Sequence, residues 1–196
     1  MLAQLTTLKA RLKIEEFDTA DDALLTIFLN AMSGRFQKEC NRKFDRAEDA
    51  TYEFRADEMD ILVDRPPIED VVSFHLKSNE ADGWVLQSDI VYLLGPQKNI
   101  IELATPLGTS REIARVTFDG GYVLPGGTVD TGQTALPGEI ESACIEQCAH
   151  WYQNRDRLGI ASVSGQGGSL ALSVVTPLSL LPQVMAVIKK YERYRM

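Results

Sequence analysis

Residues 18–41, DTADDALLTIFLNAMSGRFQKECN, decide how this chain is read. Ala23, Leu24, Ile27, Phe28, Ala31, Met32, Arg35 and Phe36 recur at three- and four-residue spacing, the period of one helical face. Asp18 or Thr19 stands where an N-cap belongs, and Asp21 and Asp22 put carboxylates at the positive end of the helix dipole. The pattern predicts a long amphipathic helix over residues 20–41 with that stripe turned to the core. Towards the N-terminus, Leu5, Leu8 and Leu12 share a face, so residues 2–12 form a short docking helix that ends in a loop at 15–19.

Beyond residue 41 the texture changes. TYEFRA (51–56) and MDILVD (59–64) alternate or cluster β-formers, and Pro66-Pro67 forbids a continuing helix. Val71 to Lys77 reads as a strand, Asp82-Gly83 as a turn, and Trp84 to Leu86 as a return strand. Val91 to Leu94 and Ile100 to Leu103 form a further hairpin, and Ile113 to Phe118 alternates until Asp119-Gly120-Gly121-Tyr122. There, adjacent glycines allow positive φ, so the strand turns sharply and the ring of Tyr122 packs back. Residues 51–123 therefore make a small antiparallel sheet. Residues 126–138 are a Gly, Thr and Pro loop whose Gly126, Thr128, Asp130 and Gly132 can reach a neighbouring molecule.

Pro137 then suits a first helical position, and the helix to residue 157 buries Ile140, Ala143, Cys144, Cys148, Trp151 and Tyr152, with Gly159 as a stop. After a Ser- and Gly-rich stretch, Leu170, Leu172 and Val174 alternate like an arm with no partner in its own chain; a neighbour's sheet edge would satisfy its backbone. Pro182 to Tyr194 reads as a last helix with a stripe of Val184, Val187, Ile188 and Tyr191. The fold class is α+β: a small bundle of three to four helices with an inserted antiparallel sheet and hairpins, and a C-terminal arm plus helix. We divide it into a core of residues 1–157 and an arm with a docking helix at 158–196.

With 196 residues and 44% hydrophobic content, the chain supports one substantial core. Its net charge of -8 argues against broad wrapping of nucleic acid, which needs surplus Lys and Arg on one face. No apolar run reaches the roughly 18 residues of a membrane span, and the N-terminus lacks the apolar block of a signal peptide, so the protein is expected to stay in the cytosol where it is made. Cys40, Cys144 and Cys148 are an odd number without an export signal, which favours reduced, buried thiols.

Chemistry is sparse. Cys144 and Cys148 share a helical face near His150, yet a structural zinc needs four ligands and no second pair accompanies them. Asp57, Glu58, Asp60 and Asp64 read as a solvated rim or a weak cation site, and whether any two carboxylates pair catalytically is a spatial matter. His75 has no nucleophile at a motif spacing, and Gly165-Gln166-Gly167-Gly168 lacks the Lys and Ser/Thr of a phosphate loop. We assign no catalytic residue, cofactor or metal.

The order of the pieces carries an identity. LAQLTTLKARLKI (2–14) followed by DTADDALLTIFLNAMSGRFQKECNRKF (18–44) resembles the opening of the tailed-bacteriophage head-tail connector family, the adaptor or head-completion proteins. ILVDRPPI (61–68), Trp84, VTFDGGY (116–122), LPGEI (136–140) with Ala143, and Leu181-Pro182 through Tyr194-Arg195 are similar to its further motifs, in the same order. Residues 126–135 and 158–177 are longer than the family pattern.

The resemblance implies a virion protein at the head-tail junction that forms a ring, usually of twelve copies, docked on the portal protein. A tail-side stopper, nozzle or tail-completion protein would attach below, and double-stranded DNA would pass through without sequence-specific contact. An acidic subunit fits a tunnel lined by carboxylates that does not grip the duplex. Val187, Lys189, Lys190, Tyr191, Arg193, Tyr194 and Arg195 combine apolar, aromatic and basic groups, as interface anchors do, and form the candidate portal interface; the alternative is that the stripe completes the subunit's own core. Another head-closure or tail-completion protein is the second reading, and a small metal-dependent hydrolase a remote third. Elemental analysis separates the last from the others: we expect no stoichiometric zinc, and Cys144→Ala to alter stability alone.

Overall fold

In a computed structural model that describes residues 1–155 and 179–193, the chain divides into two compact units. Residues 1–40, 137–155 and 179–192 form the first; residues 41–136 and Arg193 form the second. The architecture is α+β. The expected stop at Gly159 and the arm residues Leu170, Leu172 and Val174 lie outside the described residues, as do Tyr194 and Arg195.

The first unit is helical: α1 (Leu5–Leu12), α2 (Asp22–Glu39), α3 (Gly138–Gln153) and α4 (Pro182–Tyr191). α1 begins later than expected because Leu2 and Ala3 are buried ahead of it, with the Leu2 amide donating to Ser33 Oγ at 2.9 Å. Lys9 is buried; its ammonium donates to the carbonyls of Glu16 (2.7 Å) and Asp18 (2.6 Å) and pairs with Asp22 at 2.9 Å. A buried cation must be fully partnered, and this one ties α1 to the loop and the first turn of α2.

α2 corrects the sequence reading. Its buried positions are Leu25, Leu29, Met32, Ser33 and Phe36, whereas Ala23 and Ala31 are exposed and Ile27 is 61% exposed. The run LLTIFL offers two apolar stripes of similar strength, and packing chose the one that takes in Ser33, whose hydroxyl donates to Leu29 O at 2.7 Å. α3 starts one residue late, with Pro137 as its N-cap, and its helix ends at Gln153. It buries Ile140, Ala143, Cys144 and Cys148 as expected, while Trp151 and Tyr152 are half-buried and Gln147 is fully buried. Phe28 and Trp151 meet edge to face at 5.9 Å, and Arg11 on α1 grips Glu146 on α3 at 2.7 and 3.0 Å.

The second unit holds β1 (Ala47–Arg55), β2 (Asp60–Leu62), β3 (Ile68–Lys77), β4 (Val85–Gln87), β5 (Tyr92–Leu94), β6 (Ile100–Leu103) and β7 (Ile113–Gly120). These make two antiparallel sheets, β1-β7-β3-β4 and β2-β6-β5, where the sequence suggested one. Proline has no amide to donate, so the Pro66-Pro67 pair ends the run of β2, and β3 begins beyond it in the other sheet. Period-two alternation on β7 buries Ala114, Val116 and Phe118, which join Phe54, Ile61, Phe74 and Ile101 in one core between the sheets.

The end of β7 is the tightest point. A Cβ on Gly120 would lie 2.8 Å from the carbonyl oxygens of both Arg65 and Pro67, and one on Gly121 would lie 2.5 Å from Asp45 O. Gly121 also has φ +103°. This close approach lets Gly121 N donate to Pro67 O (2.9 Å), Tyr122 N to Phe44 O (2.8 Å) and Arg46 N to Tyr122 O (2.9 Å). Gly121→Ala should therefore destabilise the protein by about 2–4 kcal/mol, combining left-handed strain with displaced backbone; guanidinium unfolding monitored on the tryptophans measures it, and a loss under about 0.5 kcal/mol would contradict the steric account.

Candidate functional site

The sites that the sequence singles out are surfaces. On α4, Val184 and Ile188 are buried, Val187 is half-buried, and Lys189 faces outward. Lys190 donates to Glu139 at 2.6 Å and the Tyr191 hydroxyl also donates to it; together these hold the Glu139 carboxyl below its usual range, Lys190 contributing most. The start of α4 is set from α3: Gln147 accepts from Leu181 N at 2.8 Å and donates to Ser179 O at 3.3 Å. Arg193 belongs to the second unit, where its guanidinium lies 5.0 Å from the centre of the Tyr52 ring and donates to Tyr52 Oη (2.6 Å) and to Leu62 O. Of the described residues named for the candidate portal interface, Val187, Lys189, Lys190 and Tyr191 fall in the first unit and Arg193 in the second.

The loop carrying Gly126, Thr128, Asp130 and Gly132 is closed at its base by a bridge between Val123 and Ala135, with Val123 N donating to Thr134 O (2.9 Å) and Leu136 N to Val123 O (3.0 Å). Gly126 and Gly132 have φ of +90° and +92°, and Thr128 and Asp130 are exposed. The loop borders a shallow pocket of about 310 Å³ that also takes in Arg46 and Tyr122. Arg46 is already committed to Glu69 (3.0 Å) and Glu48 (2.9 Å), whose hydrogen bonds push its guanidinium pKa up. The Tyr122 ring stacks on Phe44 at 6.3 Å, with the Arg42 guanidinium 4.7 Å from the centre of Phe44. Gly120, Gly121 and Tyr122 thus stand in a backbone turn.

Two features were not anticipated from the sequence. A groove of about 760 Å³ runs beside β1 and β2, lined by Tyr52, Phe54, Glu58, Met59, Asp60 and Ile113 among others, with Arg193 in its wall. Along β4 and β5, Val85, Leu86, Val91 and Leu93 are exposed, the last two by 69% and 70%. The sequence marked 91–94 as one strand of a hairpin with 100–103; that this strand ends its sheet was not visible in it.

Cys40, Cys144 and Cys148 are free and buried. Burial pushes the Cys144 thiol up, with Cys148 and Cys40 adding to it, and pushes Cys148 up to about 12. The His150 ring nitrogen meets Asn154 at 3.2 Å. Among the described residues no three His, Cys, Asp or Glu side chains gather as a metal site, and no helix is long and apolar enough to cross a membrane.

No family model matches the chain. No curated protein matches it either. Among solved structures it is similar to a chain described as "Neck of empty GTA particle computed with C6 symmetry", with a TM-score of 0.60 and 14% identity over 100% of this chain and 91% of that one. The two share a fold.

The thiols provide a check on the packing around α3. At pH 8 a disulfide reagent such as DTNB should leave all three unmodified in the native protein and label all three in guanidinium; a thiol that reacts within seconds in the native state would contradict their burial.

Proposed function

We propose that this chain is a structural subunit of the neck of a phage-like particle: an adaptor-type head-tail connector that forms a ring below the portal, extends the DNA channel and offers the attachment site for a tail-side stopper, nozzle or tail-completion protein. The observation that carries the reading is the fold shared along the whole chain with a protein from the neck of a GTA particle. The co-linear connector-like motifs point the same way. That neck was computed with C6 symmetry, which accommodates rings whose copy number is a multiple of six, twelve included.

In this reading the residues work as contacts, with no catalytic step. The outward side of α4, with Lys189 and the margin of Val187, meets the portal, and the loop tip at Thr128 and Asp130 meets the neighbouring copy. The net charge of -8 suits a channel past which DNA slides, because a carboxylate-rich wall repels phosphate. A head-closure or tail-completion role is the second reading, favoured by the single core to which six of the seven strands of the second unit contribute.

Two experiments test the proposal. Removing the gene from its phage should leave DNA-filled heads without tails in electron micrographs; fully tailed, infectious particles would refute the assignment. Lys189→Glu, on an exposed position, should weaken capture by the same phage's portal about tenfold with an unchanged melting temperature; unaltered capture would remove α4 from the portal contact.

A further inference from the structure

We infer that neighbouring copies join edge to edge through the second unit, the β4–β5 edge of one copy entering the groove beside the β1–β2 edge of the next. The inference rests on the ring reading above and supplies its contact. Each sheet ends in one strand of each pair, β1 and β4 in the larger, β2 and β5 in the smaller. β1 and β2 line one groove together. β5 lies over the far side of the larger sheet, where Tyr92 meets Phe74 of β3, the neighbour of β4, at 5.7 Å. The unit therefore has two open edges, each presenting backbone groups with no ladder partner among the described residues.

The edges are unlike. Along β4 and β5 the exposed Val85, Leu86, Val91 and Leu93 form an apolar ridge within ten residues of chain, the kind of surface that soluble proteins cover. Beside β1 and β2 there is a groove instead, whose exposed Met59 and Ile113 offer apolar contact. Glu58 and Asp60 stand in the groove beside Arg55 and Arg193, and Lys98 projects from the turn that follows β5; Glu58, Asp60 and Lys98 form no ion pair among the described residues, so either carboxylate is open to a neighbour's lysine. A second copy of this chain is the occupant that carries both halves of the match. A ridge meeting a groove on opposite edges is a head-to-tail contact, which repeats from copy to copy and closes into a ring; ridge against ridge would stop at a pair.

The test uses the full chain with Leu93→Cys and Met59→Cys together, both on exposed positions, treated with a short bismaleimide while native mass spectrometry follows assembly. The native thiols are buried and stay silent. A ladder of cross-linked species in the double variant, absent from a chain carrying either change alone, is the expected result. Lys98→Glu should weaken assembly about tenfold, and adding Asp60→Lys to that chain should restore it to within about threefold. Rings that form without the ladder, or without sensitivity to the charge exchange, overturn this contact and leave the ring reading in place. A chain that stays monomeric up to millimolar concentration, alone and with the same phage's portal, overturns both.

Discussion

The approach of three backbone segments at Gly120 and Gly121 is the constraint on which the second unit depends. Carbonyls of Asp45, Arg65 and Pro67 come so near that no Cβ can stand at either glycine. Because of this, the end of β7 exchanges hydrogen bonds with residues 44–46 and with Pro67, and the strand leads into Tyr122 stacked on Phe44. The arginines around this point are spent on holding it: Arg42 donates to Pro66 O at 2.7 Å, and Arg65 pairs with Asp45 at 2.6 Å. β7 in turn is the central strand of the larger sheet, between β1 and β3, so its placement sets both edges of that sheet.

The helical unit rests on polar groups drawn into its interior. Lys9, Ser33 and Gln147 are buried, and each is partnered by backbone. Such groups specify a geometry that apolar contact alone leaves open, because a misplaced partner strands a buried donor or acceptor. This explains which parts of the fold were legible beforehand. Helix and strand positions followed from period, and Gly121 from the DGGY turn. The buried face of α2 did not, since Leu24, Leu25, Ile27, Phe28 and Leu29 are all apolar, and the stripe that is buried is the one carrying Ser33, which accepts from the Leu2 amide.

The same limit applies to function. The α4 residues and the loop at 126–138 stood out in the sequence because composition marks them, and their local surroundings are now defined. The groove and the ridge escaped notice because each is assembled from strands whose lateral order no local pattern encodes. Met59 belonged to a cluster of β-formers, MDILVD; that it lines a groove beside β2 follows from the place of β2 at the end of its sheet. Edge status is a property of the sheet, and it is edges that remain available to other molecules.

Gln147 has a consequence for how the chain can vary. By bonding Ser179 O and Leu181 N, an α3 side chain fixes the point at which α4 begins. The register of α4 is therefore inherited from α3 across space. A substitution at Gln147 is felt on two helices at once, and a chain that varies there must also accommodate the change around Leu181.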